Sequence, residues 1–301
     1  SDNDILYKGK TDQWLAFVHA LKARYLLRTY GTNKTNVQLQ NVITEAQAAL
    51  DGGFTGCELA VFNGQTADNS WYAYAQSREY TGCSSTVEKL LSDRNDPREP
   101  IYNYDKWGNN VVANPGDDAM ASETEYVNWP AYLENGAAPL HVLSLSELHF
   151  ILAEAKARLG LDATTSFESG VKASVKDFYQ TGGSVIDKTI SDSGIAAYLA
   201  AIGPRYTVNP LKEILIQKYI AQSRDEQLET YNDIRRCRFI DGSYPVSLTN
   251  PNNTAGTANR WPLRLPYGNS DVVSNPNVAK AFGSGNDAGM YVYTQPVWWA
   301  G

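Results

Sequence analysis

At 301 residues with 43% hydrophobic content, the chain can bury a substantial core, which excludes intrinsic disorder. Its formal charge is −7, and no run of Lys or Arg exceeds Arg235-Arg236, which excludes a nucleic-acid partner because neutralising several phosphates needs a clustered basic face. No apolar stretch approaches the ~20 residues of a membrane-spanning helix, and Ser1-Asp2-Asn3-Asp4 carries no signal-peptide pattern.

The first helix is predicted over 14–28, where Trp14, Phe17, Val18, Leu21 and Tyr25 recur at three- and four-residue steps before Gly31. A second follows over 37–50 and stops at Gly52-Gly53. The short link between them implies an antiparallel hairpin. From 54 to 139 periodicity gives way to a loop-rich insert, punctuated by Gly and Pro, in which only 85–92 reads as helix. Long loops that persist in a compact domain are commonly functional.

Helical pattern returns at Ser144-Leu-Ser-Glu147, a capping box. Behind it Leu145, Leu148, Leu152, Ala155 and Leu159 make one apolar stripe ending at Gly160. A second box, Thr165-Ser-Phe-Glu168, is read as opening a helix over 167–179. The pair makes a second hairpin, tetratricopeptide-like in dimensions although neither hairpin matches that consensus well. A short helix is predicted over 193–202, and Asn209-Pro210 opens a long one over 211–238. Beyond Gly242 the chain reads as coil. The fold class is therefore mainly α, with tetratricopeptide-like helical hairpins and long ordered loops.

Catalytic signatures are missing. There is no nucleophile elbow, no phosphate-binding loop and no zinc-hydrolase histidine spacing, so no catalytic residue, metal or cofactor is assigned. Of the three histidines, His149 reads as a packed core residue, and His141 lacks a ligand partner at helical spacing. Cys57, Cys83 and Cys237 have no metal-ligand spacing; Cys57 and Cys83 flank one loop region, and a disulfide between them stays open. Paired carboxylates among Asp105, Asp117, Asp118, Glu123 and Glu125 are the route left to glycoside hydrolysis.

The aromatic balance is unusual: 19 Tyr and 7 Trp against 8 Phe. Rings with a polar edge suit surfaces that are apolar on the face and wet at the rim. Trp71, Tyr72, Tyr74, Tyr80, Tyr102, Tyr104, Trp107 and Trp129 crowd the insert beside Asn103, Asp105, Asn109 and Asn128. A pyranose needs a flat ring for its C–H face and planar amides or carboxylates for its hydroxyl rim. Each ring that covers roughly 60 Å² of sugar contributes about 1.5 kcal/mol. Trp71, Tyr72, Tyr74, Trp107, Asn109 and Trp129 are accordingly the candidate ligand-binding residues. The competing reading is that such rings anchor otherwise underpacked loops.

The order of segments resembles the SusD/RagB family of outer-membrane nutrient-binding lipoproteins, in its C-terminal three-fifths. Asp96-Pro97-Arg98 resembles the family's DPR segment, and 145–155 is similar to its helix ending LAEA. Gly170-Val-Lys-Ala-Ser174 looks like GI-x-x-S, and 214–220 with Glu229 and Arg235-Arg236 resembles the I-x-x-QKW-I…E…RR pattern, with Tyr219 replacing the usual Trp. Leu263–Tyr267, Asn275–Val278 and Trp298-Trp299 complete the series. The resemblance implies no enzymatic activity and an oligosaccharide ligand, with peptides or other nutrients as the alternative on the same scaffold. It also implies an extracellular site on the outer membrane through a lipid anchor outside this chain, and a partner in a SusC-like TonB-dependent transporter. Glu154, Arg235 and Arg236 are expected to stitch helices, and Trp298-Trp299 to plug the core. The chain is expected to be a single SusD-like domain over 1–301 lacking an N-terminal helical portion, which would leave Ala16, Ala20, Leu26 and Leu27 of the first helix without a neighbour.

Overall fold

The computed structural model describes residues 3–78, 82–113, 129–248, 263–282, 291–295 and 297. Tyr80, Asp117, Asp118, Glu123, Glu125, Asn128 and Trp298-Trp299 lie outside them. The chain divides into two compact units, one of residues 1–113 and 120–247, the other of 114–119 and 248–301.

The first unit is mainly helical. Helices α1 (Thr11–Thr29) and α2 (Asn36–Asp51) form the expected hairpin. The Thr35 hydroxyl accepts from the Gln38 amide at 3.1 Å and caps α2. The buried line on α1 is Ala16, Phe17, Ala20, Ala23 and Leu27, while Val18 and Tyr25 are exposed. Small residues decide this: Ala16, Ala20 and Ala23 pack in one core with Leu39, Val42, Ala46 and Ala49 of α2, an approach that larger side chains would block. The face expected to lack a neighbour is thus the best covered one.

After α3 (Ser70–Arg78), α4 (Ser85–Ser92) and the single turn α5 (Glu99–Tyr102), the chain enters α6 (Leu145–Arg158). Helix α6 is buried on two faces. Leu148, Ile151, Leu152 and Ala155 belong to the α1–α2 core. Phe150 and Ala153 belong to a second core with α7 (Thr164–Phe178), α8 (Asp192–Val208) and α9 (Pro210–Gln222). The single-stripe reading of α6 therefore captures half of its burial. The Ser144 hydroxyl does cap it, accepting from the Glu147 amide at 3.1 Å. Glu147 turns away to Arg24, and Glu226 takes the Ser144 amide in its place at 3.0 Å. Helix α7 starts earlier than the second box implies; Asp162 accepts from the Thr164 amide at 2.9 Å and leaves Thr165 inside the helix.

The long helix expected over 211–238 is broken into α9 and α10 (Gln227–Asp241). Arg224, Asp225 and Glu226 in the break all send side chains to buried partners, which consecutive positions on one straight helix cannot do. Helix α8 is longer than predicted and carries Pro204 inside it. Two small pairings tie the loop segments: β1 (Cys57–Leu59) runs antiparallel to β4 (Leu140–Leu143), and β2 (Cys83–Ser84) parallel to β3 (Val112–Ala113). Cys57, Cys83 and Cys237 are all buried free thiols.

In the second unit the coil expected beyond Gly242 contains three short helices, α11 (Asn269–Ser274), α12 (Pro276–Phe282) and α13 (Tyr291–Thr294). The Leu263 amide donates to the Val292 carbonyl at 2.7 Å, and Tyr267 packs 5.9 Å from Tyr291.

Two helical glycines separate packing from propensity. A Cβ on Gly170 would sit 2.8 Å from the Phe150 ring, whereas one on Gly203 would meet nothing within 4 Å. Gly170→Ala is expected to lose stability, because overpacking of about 1–3 kcal/mol exceeds the gain in propensity. Gly203→Ala is expected to gain up to about 1 kcal/mol. Urea unfolding of both variants checks the pair, and a Gly170→Ala protein as stable as wild type contradicts the α6–α7 contact.

Candidate functional site

The Trp71 cluster sits on a helix that sequence periodicity did not show. Asn69, itself buried, accepts from the Trp71 and Tyr72 amides at 2.8 and 3.3 Å and so caps α3. Its side-chain amide donates to the Ala138 carbonyl at 2.8 Å, and its own backbone amide donates to Gly136 at 2.8 Å. Ala75 is fully buried on the inner side. The outer side therefore presents Trp71 and Tyr74, 37% and 48% exposed, edge-to-face with centroids 6.4 Å apart. Tyr72 is half-buried and packs on Gly136, where a Cβ would stand 3.1 Å from its ring.

Trp107 projects from a turn built by one carboxylate. Asp105 is fully buried; one oxygen accepts the Trp107 and Asn109 amides at 2.9 and 2.8 Å, and the other accepts the Asn109 side-chain amide at 2.9 Å. Gly108 supplies the left-handed residue at φ 86°. Trp107 is held 65% exposed, with the Lys106 ammonium 4.4 Å from its ring centroid and paired to Glu134 at 3.0 Å. Asn109 thus has its amide committed inward. Trp129 is only 8% exposed. Three of the candidate rings face solvent, and Tyr72, Trp129 and Asn109 serve packing and turn geometry.

Beside Trp71 lies a narrow depression of about 10 Å³, lined among others by Asn69, Asn135, Thr181, Arg224 and Asp225. Behind its polar wall is a charge cluster that sequence spacing did not reveal. Strand register sets Glu58 of β1 opposite His141 of β4. The imidazole Nδ1 lies 2.8 Å from Asp225; Nε2 lies 3.3 Å from Glu58 and 3.5 Å from Asp177 of α7. Arg224 abuts the same ring and pairs with Asp177 at 3.2 Å. Burial opposes a charged imidazole, as does Arg224, but hydrogen bonds to Asp225 and Glu58 and the Asp177 charge prevail, raising His141 to about 11. Asp225 is lowered to about 2: burial works against its ionisation, and Arg224 and His141 overcome it. His149, by contrast, is half-buried on α6 and lowered to about 4 by burial.

The motif residues are buried elsewhere, in a lattice of ion pairs. Arg98 donates to Asp96 at 2.8 and 2.6 Å, to Ser174 at 2.8 Å and to Gln217 at 2.6 Å. Arg94 grips Glu213 with two bonds at 2.8 and 2.9 Å. Glu154 receives Arg236 at 2.6 and 2.8 Å and Arg158 at 2.7 Å, which keeps it well below the usual carboxylate range despite burial. Lys218 reaches Asp233 at 2.6 Å. Of the two adjacent arginines, Arg236 joins Arg158 in holding Glu154, and Arg235 lies 5.5 Å over the Tyr231 ring. Among the described residues no group of three or more His, Cys, Asp or Glu is arranged to hold a metal ion, and no helix is long and apolar enough to cross a membrane.

Residues 1–267 match the family model described as SusD-like, starch-binding associating with outer membrane. Similar solved structures include a SusD/RagB family protein from Bacteroides thetaiotaomicron, 29% identical with a TM-score of 0.78, over 100% of this chain and 67% of that one. A chitin-binding protein is 22% identical with a TM-score of 0.66, over 99% of this chain and 66% of that one. A SusD homologue from Bacteroides uniformis is 21% identical, also at 0.66, over 99% and 67%. The chain thus spans about two thirds of the length of these relatives. Among proteins of curated function, none matches it significantly.

The His141 cluster makes a pH prediction. Its folded value lies above the ordinary 6.5, so its stabilisation is fully present below pH 6.5 and fades as pH rises towards 11. Asp225 lies below its ordinary 3.8, so its contribution holds above that pH and is lost as pH falls to about 2. The stability gap between wild type and His141→Leu is expected to peak between these limits and to close on both sides. Urea midpoints across the pH range measure it; a gap that stays flat from pH 6.5 to 11 shows the imidazole to be neutral.

Proposed function

The chain belongs to the SusD-like family, and on that premise we propose that it is a non-catalytic glycan-capture protein on the outer face of a bacterial outer membrane. In this reading a lipid anchor holds it at the membrane, and it delivers oligosaccharide to a SusC-like TonB-dependent transporter. The observation that carries the reading is the solvent-facing Trp71–Tyr74 pair on a capped helix, beside a depression walled by carboxamides and charged groups. Exposed rings fixed from behind lose little freedom when a sugar stacks on them, which is what a weak, fast capture site requires. Trp107, held out by the Asp105 turn, offers a further platform. Hydrolysis finds less support: Asp105, the one described member of the loop acids, is buried and spends both oxygens on its own turn.

Trp71→Ala and Tyr74→Ala are each expected to weaken oligosaccharide binding roughly tenfold, from about 1.5 kcal/mol of lost ring contact. Trp129→Ala is instead expected to cost about 3–5 kcal/mol of stability, as deletion of a buried aromatic does. Calorimetric titration with malto- and chito-oligosaccharides, with product analysis alongside, tests the set. A Trp71/Tyr74/Trp107 triple variant within twofold of wild type removes the aromatic surface from the reading. Peptide binding without glycan binding would favour the alternative nutrient class, and turnover would favour the hydrolase.

A further inference from the structure

Helix α7 does not end in an ordinary cap: residues Tyr179–Gly183 continue it as one π-helical turn. Such wide turns are rare and concentrate at functional sites. Here the turn is fixed by two glycines. A Cβ on Gly182 would stand 2.5 Å from Ile101, and one on Gly183 would stand 2.6 Å from the Lys188 carbonyl, so neither position has room for a side chain. The Tyr179 hydroxyl donates to the Pro97 carbonyl at 2.8 Å, and Asp187 adopts the left-handed region at φ 50°. The turn is therefore built tightly, with backbone strain retained beside it.

On the outer side of this turn lies a cleft of about 590 Å³, within the roughly 300–1,000 Å³ range of small-ligand sites. It is larger than the depression beside Trp71, and none of the candidate ligand residues read from the sequence lines it. Tyr179 and Ile190, both half-buried against the α7–α8–α9 core, give it an apolar wall. Its rim carries Gln180, Ser184, Asp187 and Lys188, all exposed, and none of these side chains has a partner among the described residues. Lys176, also at the rim, is by contrast paired with Asp192 at 2.8 Å.

The chemistry of that rim selects a class of ligand. An unpaired carboxylate and an unpaired ammonium side by side disfavour a polyanion or a polycation equally, because each meets a like charge. Together with a carboxamide and a hydroxyl they offer both donors and acceptors to vicinal hydroxyl groups. A ring and an aliphatic side chain supply the apolar face that a pyranose presents. We infer that the Tyr179–Ile190 cleft is a second binding subsite, distinct from the Trp71 surface, for an uncharged, hydroxyl-rich saccharide. The inference rests on the reading of the chain as a glycan binder and adds to it a place the aromatic loop does not supply.

The test is a titration of isotope-labelled full chain with maltotriose and, separately, chitotriose, followed by amide chemical shifts. Ser184→Trp fills the cleft from an exposed position and Lys188→Ala removes one rim donor; Trp71→Ala serves as the comparison. Saturable shifts at residues 180–190 are expected, weakened at least tenfold by Ser184→Trp and several-fold by Lys188→Ala, and within twofold of wild type in Trp71→Ala. Shifts confined to the surroundings of Trp71 and Trp107 overturn the inference and leave the capture function intact. Shifts at 180–190 that survive Ser184→Trp unchanged also overturn it. Shifts at 180–190 without any near Trp71 support the cleft and remove the aromatic surface. No shift anywhere with either saccharide overturns the inference together with the reading beneath it.

Discussion

Arg98 has no exposed surface, and a guanidinium so placed costs several kcal/mol unless every donor is matched. Asp96 matches it from two residues away, Ser174 from α7 and Gln217 from α9. The Tyr198 hydroxyl of α8 closes the ring between Asp96 and Gln217. One charge thus fixes the loop segment 94–98 against three helices. The residues immediately C-terminal to it inherit that position. Helix α5 begins at the next residue, the Asn103 amide donates to the Glu99 carbonyl at 2.8 Å, and Asp105 then folds the turn that carries Trp107. Ile101 of α5 packs where Gly182 leaves room, and Tyr179 bonds the carbonyl of Pro97. The Trp107 loop and the π-turn cleft are both hung from the Asp96-Pro97-Arg98 segment.

The same logic repeats down the helical stack. Glu154 with Arg158 and Arg236 joins α6 to α10, Lys218 with Asp233 joins α9 to α10, and Arg24 with Glu147 joins α1 to α6. Apolar helix faces are interchangeable in register to within small energies, whereas a buried ion pair is satisfied in one arrangement. The Ala-rich contact of α1 with α2 provides attraction, and the ion pairs provide the alignment of the helices beyond it. At Glu154 and Arg236 the cost of desolvation is offset because each of them has two charged partners.

The helical pairs were legible because their signals are local. Three- and four-residue spacing, Gly stops and the Ser144 cap all lie within one turn of the residues they govern. What escaped depends on distant partners. Helix α3, Ser70–Arg78, has little apolar periodicity, and its cap, Asn69, is stabilised by carbonyl and amide groups of 136 and 138. The break between α9 and α10 comes from where Arg224, Asp225 and Glu226 must reach, which nothing in 211–238 reveals. Spacing along the sequence tests His141 only as a metal ligand; its partners Glu58 and Asp225 stand 83 and 84 residues away. Ring density picked out a region that includes the exposed rings Trp71, Tyr74 and Trp107, but it could not separate them from the covered Tyr72 and Trp129, because exposure is set by Asn69 and Asp105 behind them.

In the proposed reading, this division puts family and ligand in different residues. Most of the motif residues that carry the resemblance, Asp96, Arg98, Glu154, Ser174, Gln217, Lys218 and Arg236, are buried polar groups bonded to one another or to buried partners, so a change in one strands its partner. They hold the scaffold fixed whatever it binds. Trp71, Tyr74, Trp107, Gln180 and Lys188 touch that lattice only through backbone or through a capping residue, and each can be exchanged with little cost to the fold. On the proposed function, a scaffold of this kind changes ligand by exchanging exposed residues at constant lattice, so membership is read from charges and specificity would be read from the surfaces they suspend.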